Sequence, residues 1–101
     1  MSDTQLVHLR IIGRVQGVGY RAWTVGEARR LGLGGFVRNK RNGNVEAVLI
    51  GASETIAVLV ELCRSGPPAA RVDQIEQAII NEEMARILAE PGLREEACFD
   101  F

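Results

Sequence analysis

The stretch Gly13-Arg14-Val15-Gln16-Gly17-Val18-Gly19-Tyr20-Arg21 sits between two incompatible periodicities. Upstream, Val7, Leu9 and Ile11 alternate with His8 and Arg10, the two-residue period of a strand over Leu6–Ile12. Downstream, Tyr20, Thr24, Ala28 and Leu31 recur at helical spacing, and Arg29 and Arg30 fall off that face. The chain must therefore pass from strand to helix within one short turn. Glycines at 17 and 19 tolerate backbone conformations that other residues resist, so they permit that turn.

The rest of the chain follows from this start. Gly32, Gly34 and Gly35 stop the first helix. Two strands, Gly35–Lys40 and Val45–Ile50, flank Asn42-Gly43, a strong hairpin signal because both residues accept positive φ. A second helix is expected from Ser53, read as its N-cap, to Arg64, with Gly66-Pro67-Pro68 ending it. Val72–Ile80 reads as a fourth strand and Glu96–Phe101 as a short terminal one. Asn81–Glu90 carries an N-cap residue and two early glutamates, which predicts a short extra helix. The order is that of an α+β, ferredoxin-like split βαβ (βαββαβ) sandwich: an antiparallel sheet with two helices on one face.

At 101 residues the chain is read as one domain, 1–101. Its net charge of −1 excludes a general polyanion binder, yet Arg14, Arg21, Arg38, Lys40 and Arg41 cluster in two short stretches. A local basic patch of this kind suits a small anion, with no nucleic acid and no membrane as partner. No apolar run approaches the ~20 residues a membrane helix needs. The N-terminus has no basic region followed by an apolar run, so the expected location is the cytoplasm and the expected state a monomer. Cys63 and Cys98 lack CxxC spacing and are read as free thiols in a reducing compartment, with their pairing left open. His8 lies outside any motif and reads as a solvent-facing strand residue. No ligand cluster for a metal is present, and the expectation is no metal and no cofactor.

Two constellations carry chemistry. In the first, a Gly-rich turn feeding a helix N-terminus aims backbone N–H groups at one spot, and Arg21 adds a planar, bidentate cation. Taken alone, this is either an anion cradle or a purely structural turn. The absence of GxxxxGK[ST] excludes a nucleotide phosphate loop. In the second, Asn39 closes a strand just before the hairpin. It can be a turn asparagine, but Asn42 already fills that role, and a carboxamide can orient a water without changing its protonation state. Tyr20 and Trp23 are read as packing residues in the first instance.

These two stretches resemble the diagnostic motifs of the acylphosphatase family. Gly13–Arg21 matches G-x-V-Q-G-V-x-[FY]-R, and Gly35–Gly51 matches G-[FYW]-[AVC]-[KRQAM]-N-x(3)-G-x-V-x(5)-G. The resemblance covers about Val7 to Ile80 and extends to Thr24, Ala28, Gly66-Pro67-Pro68 and Arg71-Val72. It implies a metal-free hydrolase of acyl phosphates such as acetyl phosphate, carbamoyl phosphate or a bisphosphoglycerate. It also implies that Arg21 binds the phosphate with Gln16, Gly17, Val18, Gly19 and Tyr20, and that Asn39 places the attacking water. The alternative is a non-catalytic anion-binding module of the same family. Asn81–Leu93 departs from the family pattern as an insertion before the terminal strand.

Overall fold

The computed structural model describes residues 3–89 and 99–101. Its elements run β1 (Thr4–Arg14), α1 (Tyr20–Arg30), β2 (Gly34–Asn39), β3 (Val45–Ala52), α2 (Ser53–Cys63), β4 (Arg71–Ile79), α3 (Glu82–Leu88) and β5 (Phe99–Asp100). The sheet order is β4-β1-β3-β2-β5, with every neighbouring pair antiparallel. This is the expected ferredoxin-like arrangement, extended at one edge by the terminal strand. The two-residue alternation sorts the sheet into two faces. Val7, Leu9 and Ile11 of β1, Val45, Ala47 and Leu49 of β3 and Val37 of β2 are buried in one core with Ala28 of α1 and Ile56, Leu59 and Val60 of α2.

Three local details differ from the sequence expectation. The first strand is longer at both ends than Leu6–Ile12, because its ladder continues with β3 to Thr4↔Ala52 and with β4 to Arg14↔Arg71. Ser53 is the first helical residue and not the N-cap: its hydroxyl and amide bond Asp3, and Ala52 stands at the cap without a side-chain bond. His8 lies on the sheet face away from the core as expected, but its side chain is only 17% exposed. The short helix after β4 is present, and Asn81 caps it by accepting from the Met84 amide at 2.8 Å. The rest of the predicted insertion, most of the terminal strand, the Glu95-Glu96 pair and Cys98 lie outside the described residues. Cys63 is a buried free thiol, and burial pushes its pKa up to about 11.

A bulge between Ile12 and Gly13 shifts the register of β1 against β4, and pairing resumes at Gly13↔Val72 and Arg14↔Arg71. Gly13 has φ +142°, and a Cβ there would come within 2.2 Å of the Arg71 carbonyl oxygen. The bulge thus needs glycine, and it lies two residues before β1 gives way to the loop that precedes α1.

His8 is covered because it belongs to a polar cluster on the second sheet face. Glu46 sits opposite Arg10 on β1 and Arg38 on β2. Its carboxylate accepts from Arg38 Nε at 2.7 Å, lies 2.7 Å from His8 Nε2 and 3.7 Å from Lys40 Nζ. Burial alone would raise the Glu46 pKa. The hydrogen bonds from His8 and Arg38 and the charges of Arg38 and Lys40 outweigh it and hold the carboxyl at about 2.

That folded value lies below the ordinary 4.5. The carboxylate therefore contributes fully above pH 4.5, and its contribution is lost as pH falls through about 2. Glu46→Gln should lower stability at pH 7 by about 3 kcal/mol, since it leaves a buried arginine without its counter-charge. The gap between variant and parent should narrow steadily from pH 4.5 toward pH 2, followed by urea unfolding at each pH.

Candidate active site

Antiparallel pairing decides which chain segments meet. Val45 of β3 lies opposite Ile11 of β1 on one side and Asn39 of β2 on the other. The outgoing ends of β1 and β2 therefore reach the same edge of the sheet. Past that edge lie the loop to α1 and the hairpin to β3.

The loop is built to leave donors open. Gly17 has φ +74° and Gly19 φ +81°, and Gly19 stands at the N-cap of α1 in the left-handed conformation. That cap has no side-chain hydrogen bond, and the first turn carries no acidic residue. The first N–H groups of a helix have no intrahelical acceptor, and they carry the positive end of its dipole. A small anion completes such an end.

The helix start is fixed in place by Tyr20. Its ring is 1% exposed, and its hydroxyl donates to the Cys63 carbonyl at the end of α2, at 2.6 Å. Gly66 makes room for it: a Cβ there would fall within 2.6 Å of the ring. Burial pushes the Tyr20 hydroxyl far above its usual pKa, so it is neutral at any working pH. Trp23 packs beside it with ring centroids 5.5 Å apart. Both aromatics thus act as packing residues, as their spacing suggested.

One cavity of about 270 Å³ opens here, lined by Val15, Gly17, Gly19, Tyr20, Arg21, Ala22 and Asn39. The structure brings Arg21 and Asn39 to the same small space, although they stand on different elements. Of the six loop residues expected at an anion, Gly17, Gly19, Tyr20 and Arg21 line the cavity. Val18 and Gln16 do not. Val18 packs against the core, and the Gln16 side chain reaches the hairpin, donating to Lys40 O at 2.7 Å and Asn44 O at 2.8 Å. No carboxylate is among the lining residues, so the cavity suits negative charge. Its volume lies just below the roughly 300–1,000 Å³ of pockets that enclose drug-sized ligands, and it admits a group of phosphate size.

The basic patch read from sequence is smaller in the structure. Arg38 points to the opposite sheet face, 4% exposed against Glu46, and Lys40 leans toward the same carboxylate. Alternation explains this: Arg38 precedes Asn39, so if one faces the cavity the other cannot. Among the described residues no group of three or more metal-ligating side chains occurs, and no helix is long and apolar enough to cross a membrane.

A family model described as Acylphosphatase matches residues 7–86. An acylphosphatase of Azorhizobium caulinodans is 59% identical over 76 residues, covering 75% of this chain and 82% of that protein. One from Nitrobacter hamburgensis is 49% identical over 92 residues, covering 91% of this chain and 92% of that protein. The solved structure of an acylphosphatase from Coxiella burnetii superposes with a TM-score of 0.76 at 34% identity, covering 78% of this chain and 83% of that one.

A cavity made from a helix N-terminus and an arginine should bind inorganic phosphate and stabilise the fold by mass action. At ~100 times the dissociation constant the gain is about 2.7 kcal/mol. Thermal unfolding at increasing phosphate should show a rising midpoint, and a midpoint indifferent to saturating phosphate would remove the anion from this cavity.

Proposed function

The chain belongs to the acylphosphatase family, and from that membership we propose that it hydrolyses the carboxyl–phosphate anhydride bond of small acyl phosphates using Arg21 and Asn39. The enzyme class is a hydrolase acting on acid anhydrides. The observation that carries the residue assignment is the single cavity shared by Arg21, Asn39 and the glycines of the loop.

In this reading Arg21 and the amides at the start of α1 bind the three peripheral phosphoryl oxygens. Phosphoryl transfer through a loose transition state needs positioning and charge neutralisation more than covalent help. The Arg21 guanidinium offers two parallel donors that tighten on charge spread over those oxygens. Asn39 holds a water in line with the phosphorus, opposite the acyl oxygen. The water oxygen bonds to phosphorus, the phosphorus–acyl oxygen bond breaks, and its electron pair leaves with the carboxylate. A carboxylate is a weak base, so no general acid is required. The proton of the water passes to a phosphoryl oxygen of the substrate itself, in keeping with a cavity that contains no carboxylate, histidine or thiol.

The products are a carboxylate and inorganic phosphate. No lining residue is assigned to the acyl group, which supports acceptance of several acyl phosphates. The proposal extends to a monomer in the cytoplasm, a setting that agrees with the reduced, buried Cys63.

Two variants separate the two roles. Arg21→Lys keeps the charge but loses the fork, so it should stay folded, bind phosphate at least ~10-fold more weakly and turn over poorly. Asn39→Ala should keep the phosphate inhibition constant near normal while turnover of acetyl phosphate falls roughly 100-fold, about 2.7 kcal/mol of transition-state stabilisation. If Asn39 only shapes the hairpin, the alanine variant will instead lose unfolding midpoint with turnover unchanged.

A further inference from the structure

Both strand ladders that support the cavity stop at the same rung. The pairing of β1 with β3 ends at Ile11↔Val45, and that of β2 with β3 ends at Asn39↔Val45. Past it, β1 stays paired with β4 alone, to Arg14↔Arg71, and the phosphate loop and the hairpin leave β3 as two arms. Each arm contains glycine in a positive-φ conformation, Gly17 and Gly19 in one and Gly43 in the other. The sheet by itself does not fix the gap between them.

We propose that Gln16 is the positioning residue that sets this gap, clamping the hairpin to the phosphate loop so that the water held by Asn39 stays in line with the phosphorus. The inference rests on the assignment of Asn39 made above. The Gln16 carboxamide has two N–H donors, and its Nε2 meets two backbone carbonyls, Lys40 O at 2.7 Å and Asn44 O at 2.8 Å. These two carbonyls settle the orientation of the amide, because the opposite assignment would set oxygen against oxygen. They are also the two ends of the turn. Lys40 N donates to Asn44 O at 2.8 Å, and Gly43 N donates to Lys40 O at 3.1 Å. Gln16 therefore grips the closed hairpin as one body.

The clamp touches the site on both sides. Gln16 lies between Val15 and Gly17, which line the cavity, and Lys40 is bonded directly to Asn39, which lines it from across. Gln16 itself is absent from the lining, so its side chain acts on the reaction through Asn39 and not on the substrate. Positional error of about 1 Å in a near-attack geometry is enough to cost ~100-fold in rate. A clamp of two charge-neutral hydrogen bonds is thus large enough to matter for turnover while leaving phosphate binding to Arg21 and the helix end.

The test is a double-mutant cycle read in three quantities: turnover of acetyl phosphate, inhibition constant for inorganic phosphate, and unfolding midpoint. Gln16→Met keeps the length and removes the donors. Its turnover should fall about 10-fold or more, with the phosphate inhibition constant within about 2-fold of the parent. In the Asn39→Ala background the same change should cost nothing further, because the water it positions is no longer held. Gln16→Glu, which turns both donors into acceptors facing carbonyls, should lose turnover at least as Gln16→Met does and, by adding a negative charge beside the cavity, should also weaken phosphate inhibition. Losses that multiply in the double variant overturn the clamp, as does a loss confined to phosphate affinity. Failure of both Gln16 variants to fold overturns it in favour of a purely structural bond. Normal turnover in Asn39→Ala overturns instead the assignment on which the clamp rests, so the two failures are told apart.

Discussion

The antiparallel pairing of β3 with both β1 and β2 is the constraint on which the rest of the molecule depends. A strand that follows its neighbour through a helix must run parallel to it, and two parallel strands leave a gap that one antiparallel strand can fill. Once β3 fills it, the outgoing ends of β1 and β2 are forced to the same sheet edge, with Val45 between Ile11 and Asn39. A helix start and a strand end are thereby brought together from segments far apart in sequence. Chemistry that needs one group on phosphorus and another on water requires such a meeting of two walls.

The burial of Tyr20 does for the helix what β3 does for the strands. Its hydroxyl donates to the Cys63 carbonyl at the end of α2 and its ring lies on Gly66, so α1 cannot slide or rotate without opening the core. The first turn of α1 is then a rigid frame for Arg21, although α1 buries little else than Tyr20, Thr24 and Ala28. A pre-set frame of donors spends no reorganisation when charge develops on the substrate. This is how a site with few functional side chains can be effective.

Much of this was legible in the sequence, and what was missed has a common cause. The first four strands, the three helices, the hairpin at Asn42-Gly43 and the cap at Asn81 follow from local periodicity and turn chemistry, and the structure contains each, with β1 longer than expected. Motif spacing singled out Arg21, Asn39 and the loop glycines, and in the structure Arg21, Asn39, Gly17 and Gly19 line one cavity. Arg38 was misplaced in the basic patch because composition counts charge without asking which sheet face receives it. His8 was read as solvent-facing because Glu46, its partner, lies on a strand remote in sequence. The side chain of Gln16 escaped for the same reason: its two acceptors are backbone carbonyls, and a backbone carbonyl leaves no mark on a sequence. Ser53 failed as a cap because Asp3, close in space only, took its hydroxyl.

The short strand β5 has a consequence for how the molecule behaves among its own copies. It pairs with β2 through Val37↔Phe99 and Phe36↔Asp100, and the Phe101 amide adds a bond to Gly35 O at 3.0 Å. Otherwise β2 would present an open, apolar rim of unpaired amides and carbonyls, a ready template for a strand from another molecule. The opposite rim, β4, is guarded differently: Arg71, Asp73 and Glu76 place charges along it, which disfavours a flat apolar neighbour. The strand that carries Asn39 is thus the one whose border is closed from within the chain. Edge-to-edge pairing with another copy would therefore have to displace the chain's own terminal residues to reach Phe36 and Val37.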